Sequence, residues 1–295
     1  MFYIQRSLLK SAVSGAFLQN VPRTGGAMIK GAVTHWGLVK NFVYRDFKAR
    51  FAGSILGITW NILHPLVMIL IYVIIFSQVM RAKLPGLPSK YGYSVYLCAA
   101  IIPWGMFMET FQRYTNLFFE HANLIKKVSF PREILHVSAL ITASINFLIS
   151  FTIFMFFLAL LHVTGSHHVE ITLYRMLLLF VVLVMQQVFS LGLGLAFSVL
   201  NVFFRDVGQL VNIATQLWFW FTPIVYPISV VPERLKGFFL LNPLYYFMKI
   251  YRAILYQNQA PQGNTLIIAA AVSIATFGIG LVIYKRLVDD VPDEI

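Results

Sequence analysis

The sequence has few charged side chains, and acidic ones are especially scarce. Only 12% of its 295 residues are Asp, Glu, Lys or Arg, whereas soluble domains carry roughly 25%. In contrast, 59% of the residues are hydrophobic. They gather in runs of about 20 or more, the length of a helix that crosses a hydrocarbon core of about 30 Å. This composition excludes an ordinary water-soluble protein and predicts an all-α polytopic membrane protein.

Motifs for catalysis and for nucleotide binding are also lacking. Cys98 is the only cysteine, so the sequence offers neither a disulfide nor a thiolate metal cluster. It contains no GxxxxGK[ST] phosphate loop and no GxSxG or HExxH arrangement. We therefore predict no catalytic residue, no metal site and no cofactor in this chain, and any ATP hydrolysis would belong to another protein.

Basic residues outnumber acidic ones by 23 to 11, which gives a net charge of +12. In a soluble protein this excess would suggest nucleic acid, but the sequence has no zinc knuckle, helix-turn-helix or RNP-like motif. In a membrane protein, cationic loops fix the orientation and contact anionic lipid headgroups. We therefore expect a membrane and no nucleic acid as partner.

Six apolar segments are long enough to predict transmembrane helices. The predicted spans are residues 58–80, 93–116, 134–161, 173–204, 207–225 and 265–284. The loops on one side of these spans hold most of the Lys and Arg residues, as short cytoplasmic loops do. This bias predicts that both termini, residues 1–37 and 287–295, are cytoplasmic.

A further apolar stretch, residues 235–256, precedes the last span. It is broken by Asn242 and Pro243, and it carries Lys249 and Arg252 toward its end. A helix interrupted in this way is a poor membrane span, because freed backbone groups need other partners in hydrocarbon. We predict a pair of re-entrant or interfacial helices on the external side.

Residues 38–52, ahead of the first span, predict an amphipathic helix at the cytoplasmic interface. Apolar residues recur there every fourth position, while basic residues take other positions. The apolar residues are Val39, Val43, Phe47 and Phe51, and the basic candidates are Arg45, Lys48 and Arg50. Two interpretations stay open. The helix is either a plain anchor or a site where the basic side chains receive an anionic headgroup or a pyrophosphate, which suits the forked donors of Arg.

The connection between the second and third spans, residues 120–132, mixes charged with apolar residues. It ends near Pro131, which fits the first turn of the following helix. The pattern is compatible with a solvated positive loop and with a short cytoplasmic helix that offers an apolar face to a partner.

Aromatic residues are abundant, and several follow one another at residues 218–227. Rings at successive helical positions cannot all face one neighbour, so some of them face lipid or a cavity. Sugars have apolar C–H faces, and a polymer could slide along aromatic walls without fixed hydrogen bonds. Packing is the alternative role for each ring.

Two features within the predicted spans concern charged and small residues. Glu109 is followed four residues later by Arg113, the favourable order for a helical ion pair, and we predict a local structural pair rather than a transport-coupling site. Gly192 and Gly194 lie in the fourth span, where small residues let helices approach closely.

The order of these parts resembles that of the membrane subunits of ABC-2 type polysaccharide exporters, particularly those for O-antigen. The resemblance covers about residues 38–286. It is carried by RDFKARFAGSILGITWNILHPL entering the first span, FPREILHVSAL opening the third, FFRDVGQLV joining the fourth and fifth, and NPLYYF before the sixth.

The resemblance implies a bacterial inner-membrane exporter. Two copies of the chain would pair with two copies of a separate ATPase, which binds ATP and Mg²⁺, and would enclose a channel for a glycan linked to polyprenyl pyrophosphate. Within a transmembrane domain at 53–286, residues 38–52 would be the gate helix, 120–132 the coupling helix and 235–256 the external re-entrant pair. The implied coupling residues are Asn123, Leu124, Lys126, Lys127, Phe130 and Arg132. The first and fifth spans would frame a lateral portal, and their position suggests the aromatic residues Trp60, Tyr72, Trp218, Trp220, Phe221 and Tyr226.

Two alternatives stay open. One is a membrane-bound transferase acting on polyprenyl-linked sugars, although the external acids Glu170 and Glu233 are isolated in sequence. The other is an ABC-2 exporter of a different substrate, such as teichoic acid, capsule polysaccharide or a small drug.

Overall fold

The computed structural model describes residues 33–50, 53–79, 90–127, 132–165 and 172–295. Within these ranges the chain forms eleven α-helices and no β-strand. The helices are α1 (Trp36–Arg50), α2 (Trp60–Ile74), α3 (Gly92–Glu120), α4 (Ala122–Lys127), α5 (Glu133–Val163), α6 (Leu173–Phe203), α7 (Val207–Phe221), α8 (Glu233–Leu240), α9 (Pro243–Leu255), α10 (Gly263–Leu287) and α11 (Val291–Glu294). A 3₁₀ turn at Gly57–Thr59 leads into α2, and the π-helical segment Ile75–Val79 extends it.

In the described part of the chain, five helical segments are long and apolar enough to cross a membrane, namely Gly57–Val79, α3, α5, α6 and α10. They correspond to five of the six predicted spans. The sixth, 207–225, is helical only as far as Phe221, so the sequence placed its end four residues too late. Pro223 explains the difference, because a residue before proline avoids the helical conformation, and Thr222 is extended. At 1.5 Å per residue, α7 is roughly 22 Å long, shorter than a hydrocarbon core of about 30 Å.

Helix α3 lies at the centre of the bundle. It packs against α5, α6, α7 and α9, and its large side chains Phe107, Tyr114 and Phe118 are fully buried. Aromatic rings dominate this core, which supplies much apolar area and specific edge-to-face contacts. Helix α3 therefore acts as the common support for the other elements.

Glycines allow α6 and α10 to pack backbone against backbone. A Cβ built on Gly192 would lie 2.6 Å from the Cα of Phe277, and the space at Gly280 is filled by the backbone of Gly192. Gly194 makes room for the Tyr114 ring of α3. The prediction that small residues in the fourth span permit close helix contact is confirmed.

The stretch 235–256 forms two helices, α8 and α9, separated at Asn242 as the sequence indicated. Asn242 caps α9, because its Oδ1 accepts from the backbone N–H of Leu244 at 3.0 Å. The same oxygen accepts from Trp218 Nε1 at 2.8 Å. Its Nδ2 donates to the carbonyl of Phe221 at 3.0 Å and to the hydroxyl of Thr222 at 2.8 Å. One amide thus joins the end of α7 to the start of α9.

Arg252 makes a second link at this joint. Its buried guanidinium donates to the carbonyls of Pro223, Ile224 and Tyr96 and lies 3.6 Å from the centre of the Tyr96 ring. These carbonyls follow the end of α7 or lie in α3, and a buried carbonyl without a donor is costly. Arg252 therefore stabilises the non-helical segment after α7 against α3 and α9.

The C-terminal residues fold onto the same end of the bundle as α4. Val291 in α11 is completely buried, in a cluster that includes Ile125 of α4 and Tyr284 of α10. Arg132, at the start of α5, donates to the carbonyl of Val288. The predicted tail 287–295 is therefore packed against the base of α4.

Candidate functional site

A cavity of about 880 Å³ opens between the segment Gly57–Val79, called here the first membrane helix, and α7. Helices α3 and α5 complete its walls, and its surface is mainly apolar. Polar and aromatic side chains both contribute to the lining, among them Arg50, Trp60, His64, Tyr72, Glu109, Asn146, Phe219 and Trp220. Cavities of this kind, with a few convergent polar groups, are the usual form of a ligand site. Since Arg50 is the last residue of α1, the polar part of the wall lies where α1 meets the bundle.

Glu109 of α3 is the centre of a charged network at this wall. Its Oε1 accepts from Arg50 Nη2 at 2.6 Å, from Asn146 Nδ2 at 2.6 Å and from Arg113 Nε at 3.2 Å. Arg113 also contacts Asp46 of α1, with 2.5 Å between Nη1 and Oδ2. Two carboxylates and two guanidinium groups balance one another, as partly buried charges require.

The predicted pair Glu109–Arg113 is confirmed, but no local sequence pattern indicates its further partners. Arg50 and Asp46 lie on α1, and Asn146 lies on α5, so all three are distant in sequence. Only the helical spacing of Glu109 and Arg113 is a local signal. The network links α1 to the middle of the bundle.

Helix α1 lies against α5, with Val39 and Ile134 buried between them. The helix begins two residues earlier than predicted; residues 51–52 lie outside the described ranges. Its three basic candidates take different surroundings. Arg45 is exposed, with its guanidinium 5.2 Å from the centre of the Phe42 ring, Lys48 is exposed, and Arg50 is paired with Glu109.

Three of the six predicted portal aromatics line the cavity: Trp60, Tyr72 and Trp220. Trp218 instead packs edge-on to Phe107 and bonds to Asn242. Phe221 and Tyr226 both lie near Phe239 of α8. Three further aromatic residues line the cavity that were not predicted to do so, namely Trp104, Phe147 and Phe219, of which only Phe219 belongs to the aromatic run at 218–227.

Of the implied coupling residues, Asn123, Leu124, Lys126 and Lys127 belong to α4 and Arg132 lies just before α5. Asn123 and Lys126 are exposed and Leu124 is half-buried, whereas Arg132 is bonded to Val288. Phe130 and the side chain of Lys127 lie outside the described part. The apolar residue that α4 turns inward is Ile125. Elsewhere in the described ranges, no group of three His, Cys, Asp or Glu side chains is placed to hold a metal ion.

The described helices form an all-helical bundle, and the segments able to cross a membrane make this chain a membrane protein. The family described as ABC-2 type transporter matches residues 38–256, most of the chain, and the chain belongs to that family.

Several curated relatives are similar over nearly their whole length. The chain is 31% identical over 249 residues to the O-antigen export system permease protein RfbA of Myxococcus xanthus, which covers 84% of this chain and 91% of the relative. It is 29% identical to the protein of the same name from Klebsiella pneumoniae, and the match covers 82% of this chain and 89% of that relative. It is 24% identical to the polysialic acid transport protein KpsM of Escherichia coli, and the match covers 84% of this chain and 92% of that relative. The predicted resemblance to permeases of ABC-2 polysaccharide exporters is confirmed.

Proposed function

We propose that this chain is the permease that exports a polyprenyl-pyrophosphate-linked polysaccharide of O-antigen type across the bacterial inner membrane. The cavity between the first membrane helix and α7 carries the proposal. Aromatic rings form much of its wall, and charged and polar groups lie where it meets α1. An amphipathic substrate, with a long sugar chain and a lipid pyrophosphate, needs both kinds of surface. The names of the relatives support the substrate class.

The pyrophosphate would meet Arg45, Lys48 and Arg50 at the end of α1. Guanidinium groups bind phosphate oxygens through charge-assisted, often bidentate hydrogen bonds. The glycan would pass between the first membrane helix and α7, along Trp60 and Trp220. Flat apolar rings let a sugar chain move without a fixed set of hydrogen bonds.

The assembly would contain two copies of this chain and two copies of a separate ATPase, which would bind ATP and Mg²⁺. Helix α4 would be the coupling helix, seated in a groove of the ATPase, and nucleotide-driven closure would reach the portal through it. Helix α7 would be the sixth span, and α8 and α9 would form the external re-entrant pair. Both termini would be cytoplasmic.

The test is export in a bacterium that lacks its own copy of this gene. The wild-type chain, expressed with its ATPase, restores surface polysaccharide, which is measured by immunoblot of intact cells. The variant Arg45→Glu removes one headgroup ligand without disturbing the Glu109 network, and we expect export to fall strongly while membrane insertion and ATPase association persist. Lys40→Glu is the matched control, because Lys40 is an exposed cation on the same helix.

Three outcomes would contradict the proposal. Normal export by Arg45→Glu would remove the headgroup role. Restoration of a different polymer alone would reassign the substrate within the family. Product formation from a polyprenyl-linked sugar by the purified chain without any ATPase would favour a transferase.

A further inference from the structure

We propose that Glu109 is an internal counter-ion that pairs with Arg50 until the substrate's pyrophosphate displaces it from that guanidinium. The inference rests on the proposed function for the nature of the anion. Arg50 has two roles in the site that it cannot fill at the same time. Arg50 lines the cavity as a candidate ligand, yet its guanidinium already lies 2.6 Å from a carboxylate.

Arg50 is the exchangeable member of the network. Its side chain keeps 34% of its surface exposed, whereas Arg113 keeps 19%. If Arg50 leaves, Glu109 still accepts hydrogen bonds from Arg113 and Asn146. No carboxylate is then left buried and unpaired, which is the costly outcome when one partner of an ion pair is removed.

Arg113 cannot be released as easily, because it serves two carboxylates at once. It bridges Glu109 on α3 and Asp46 on α1, and its departure would leave Asp46 without this contact. Asp46 and Arg50 lie one helical turn apart on α1. Exchange at Arg50 would therefore free the end of α1 while Asp46 still holds the preceding turn.

The exchange links occupancy of the cavity to the attachment of α1. An empty site has α1 attached to α3 by two ion pairs, and an occupied site has it attached by one. The guanidinium of Arg50 is already partly removed from water in its pair with Glu109. Binding of the pyrophosphate therefore does not have to desolvate it again. Anions too weak to displace a carboxylate would not open the link, so Glu109 would also contribute to specificity.

The test measures binding of farnesyl pyrophosphate, a soluble prenyl pyrophosphate, to the purified full-length chain in lipid nanodiscs. Farnesol and inorganic pyrophosphate are compared separately, to distinguish binding of the lipid from binding of the phosphate groups. Glu109→Gln keeps the size of the side chain and an acceptor for Asn146, but it removes the charge that competes for Arg50. We expect farnesyl pyrophosphate to bind about threefold more tightly, in line with the strength of a partly exposed ion pair.

Two further variants exclude a general effect of charge. Asp46→Asn removes a carboxylate of the same network that contacts Arg113 and not Arg50, and we expect a clearly smaller gain. Arg50→Gln weakens binding and makes the affinity insensitive to Glu109→Gln in the double variant. Thermal unfolding of each variant establishes that it is folded.

Equal gains from Glu109→Gln and Asp46→Asn would overturn the counter-ion role, as would a gain that persists without Arg50. Unchanged binding by a folded Glu109→Gln variant would overturn it as well, and would leave the proposed function intact. If the wild-type chain and all variants bound farnesyl pyrophosphate no better than farnesol, the headgroup site itself would be rejected, and the counter-ion role with it.

Discussion

The contact between α6 and α10 allows a sharp comparison between two glycines of one helix. Gly278 and Gly280 are two residues apart in α10. A Cβ at position 278 would meet nothing within 4 Å, whereas one at position 280 would collide with the carbonyl oxygen of Gly192 and lie 2.7 Å from its carbonyl carbon. The perturbations are Gly280→Ala and, as its matched control, Gly278→Ala.

The magnitude follows from the geometry at position 280. Carbon atoms pack best at about 3.5–4.0 Å, and the carbonyl oxygen of Gly192 lies closer than its carbonyl carbon, so the two helices would have to separate by more than about 1 Å. The obstacle is backbone on both sides, which cannot turn away as a side chain can. Overpacking of this kind costs about 1–3 kcal/mol. By contrast, Gly278→Ala adds a methyl group in open space and improves helix propensity, which stabilises by about 0.4–1 kcal/mol where the backbone is compatible.

The assay is thermal unfolding of both variants in detergent, followed by size-exclusion fluorescence. We expect Gly280→Ala to melt below the wild type, by roughly 2–4 °C per kcal/mol lost, and Gly278→Ala to melt at or above it. If Gly280→Ala were as stable as Gly278→Ala, the two helices would not be in backbone contact, and the packing described for α6 and α10 would be wrong.

Three other predictions concern the ends of the bundle. Arg252→Met removes the donor of the non-helical carbonyls of Pro223 and Ile224 and should lower the free energy of unfolding by at least about 1–3 kcal/mol, the cost of one buried unsatisfied group; a melting temperature equal to that of the wild type in detergent would refute this. Val291→Asp places a charge in the buried cluster beside α4 and should reduce copurification of the proposed ATPase partner while membrane insertion is retained; full copurification would show that α11 does not support α4. Reversal of Lys126 and Lys127 to Glu should also weaken that copurification, and undiminished binding with unchanged ATP hydrolysis would assign the region as a solvated loop.

Local signals in the sequence predicted the parts of the structure that depend on local physics. Apolar length identified five spans, because crossing hydrocarbon requires a minimum run of apolar residues whatever their neighbours are. The same reasoning extended the span at 207–225 too far. Its end is fixed by Pro223, which was visible, and by Asn242 and Arg252, which bind the end of α7 from another part of the chain.

In the candidate site, too, local contacts were predictable from the sequence and contacts between distant segments were not. Helical spacing predicted the pair of Glu109 and Arg113, but the attachment of Arg50 to Glu109 depends on how α1 lies against α3. For the aromatic run, the sequence showed that the rings could not all face one neighbour. It could not tell that Phe219 and Trp220 face the cavity while Trp218 packs inward, because that choice depends on the rotation of α7 about its axis.

The joint between α7 and α9 also constrains how the chain is made. When Phe221 leaves the ribosome, the amide that will bind its carbonyl is still 21 residues away, and the guanidinium that will bind Pro223 follows that residue by 29. A carbonyl released into lipid without a donor is strongly disfavoured. The end of α7 therefore gains these donors only once α9 has been synthesised and has packed against it, so we expect the folding of α7 to be coupled to that of α9.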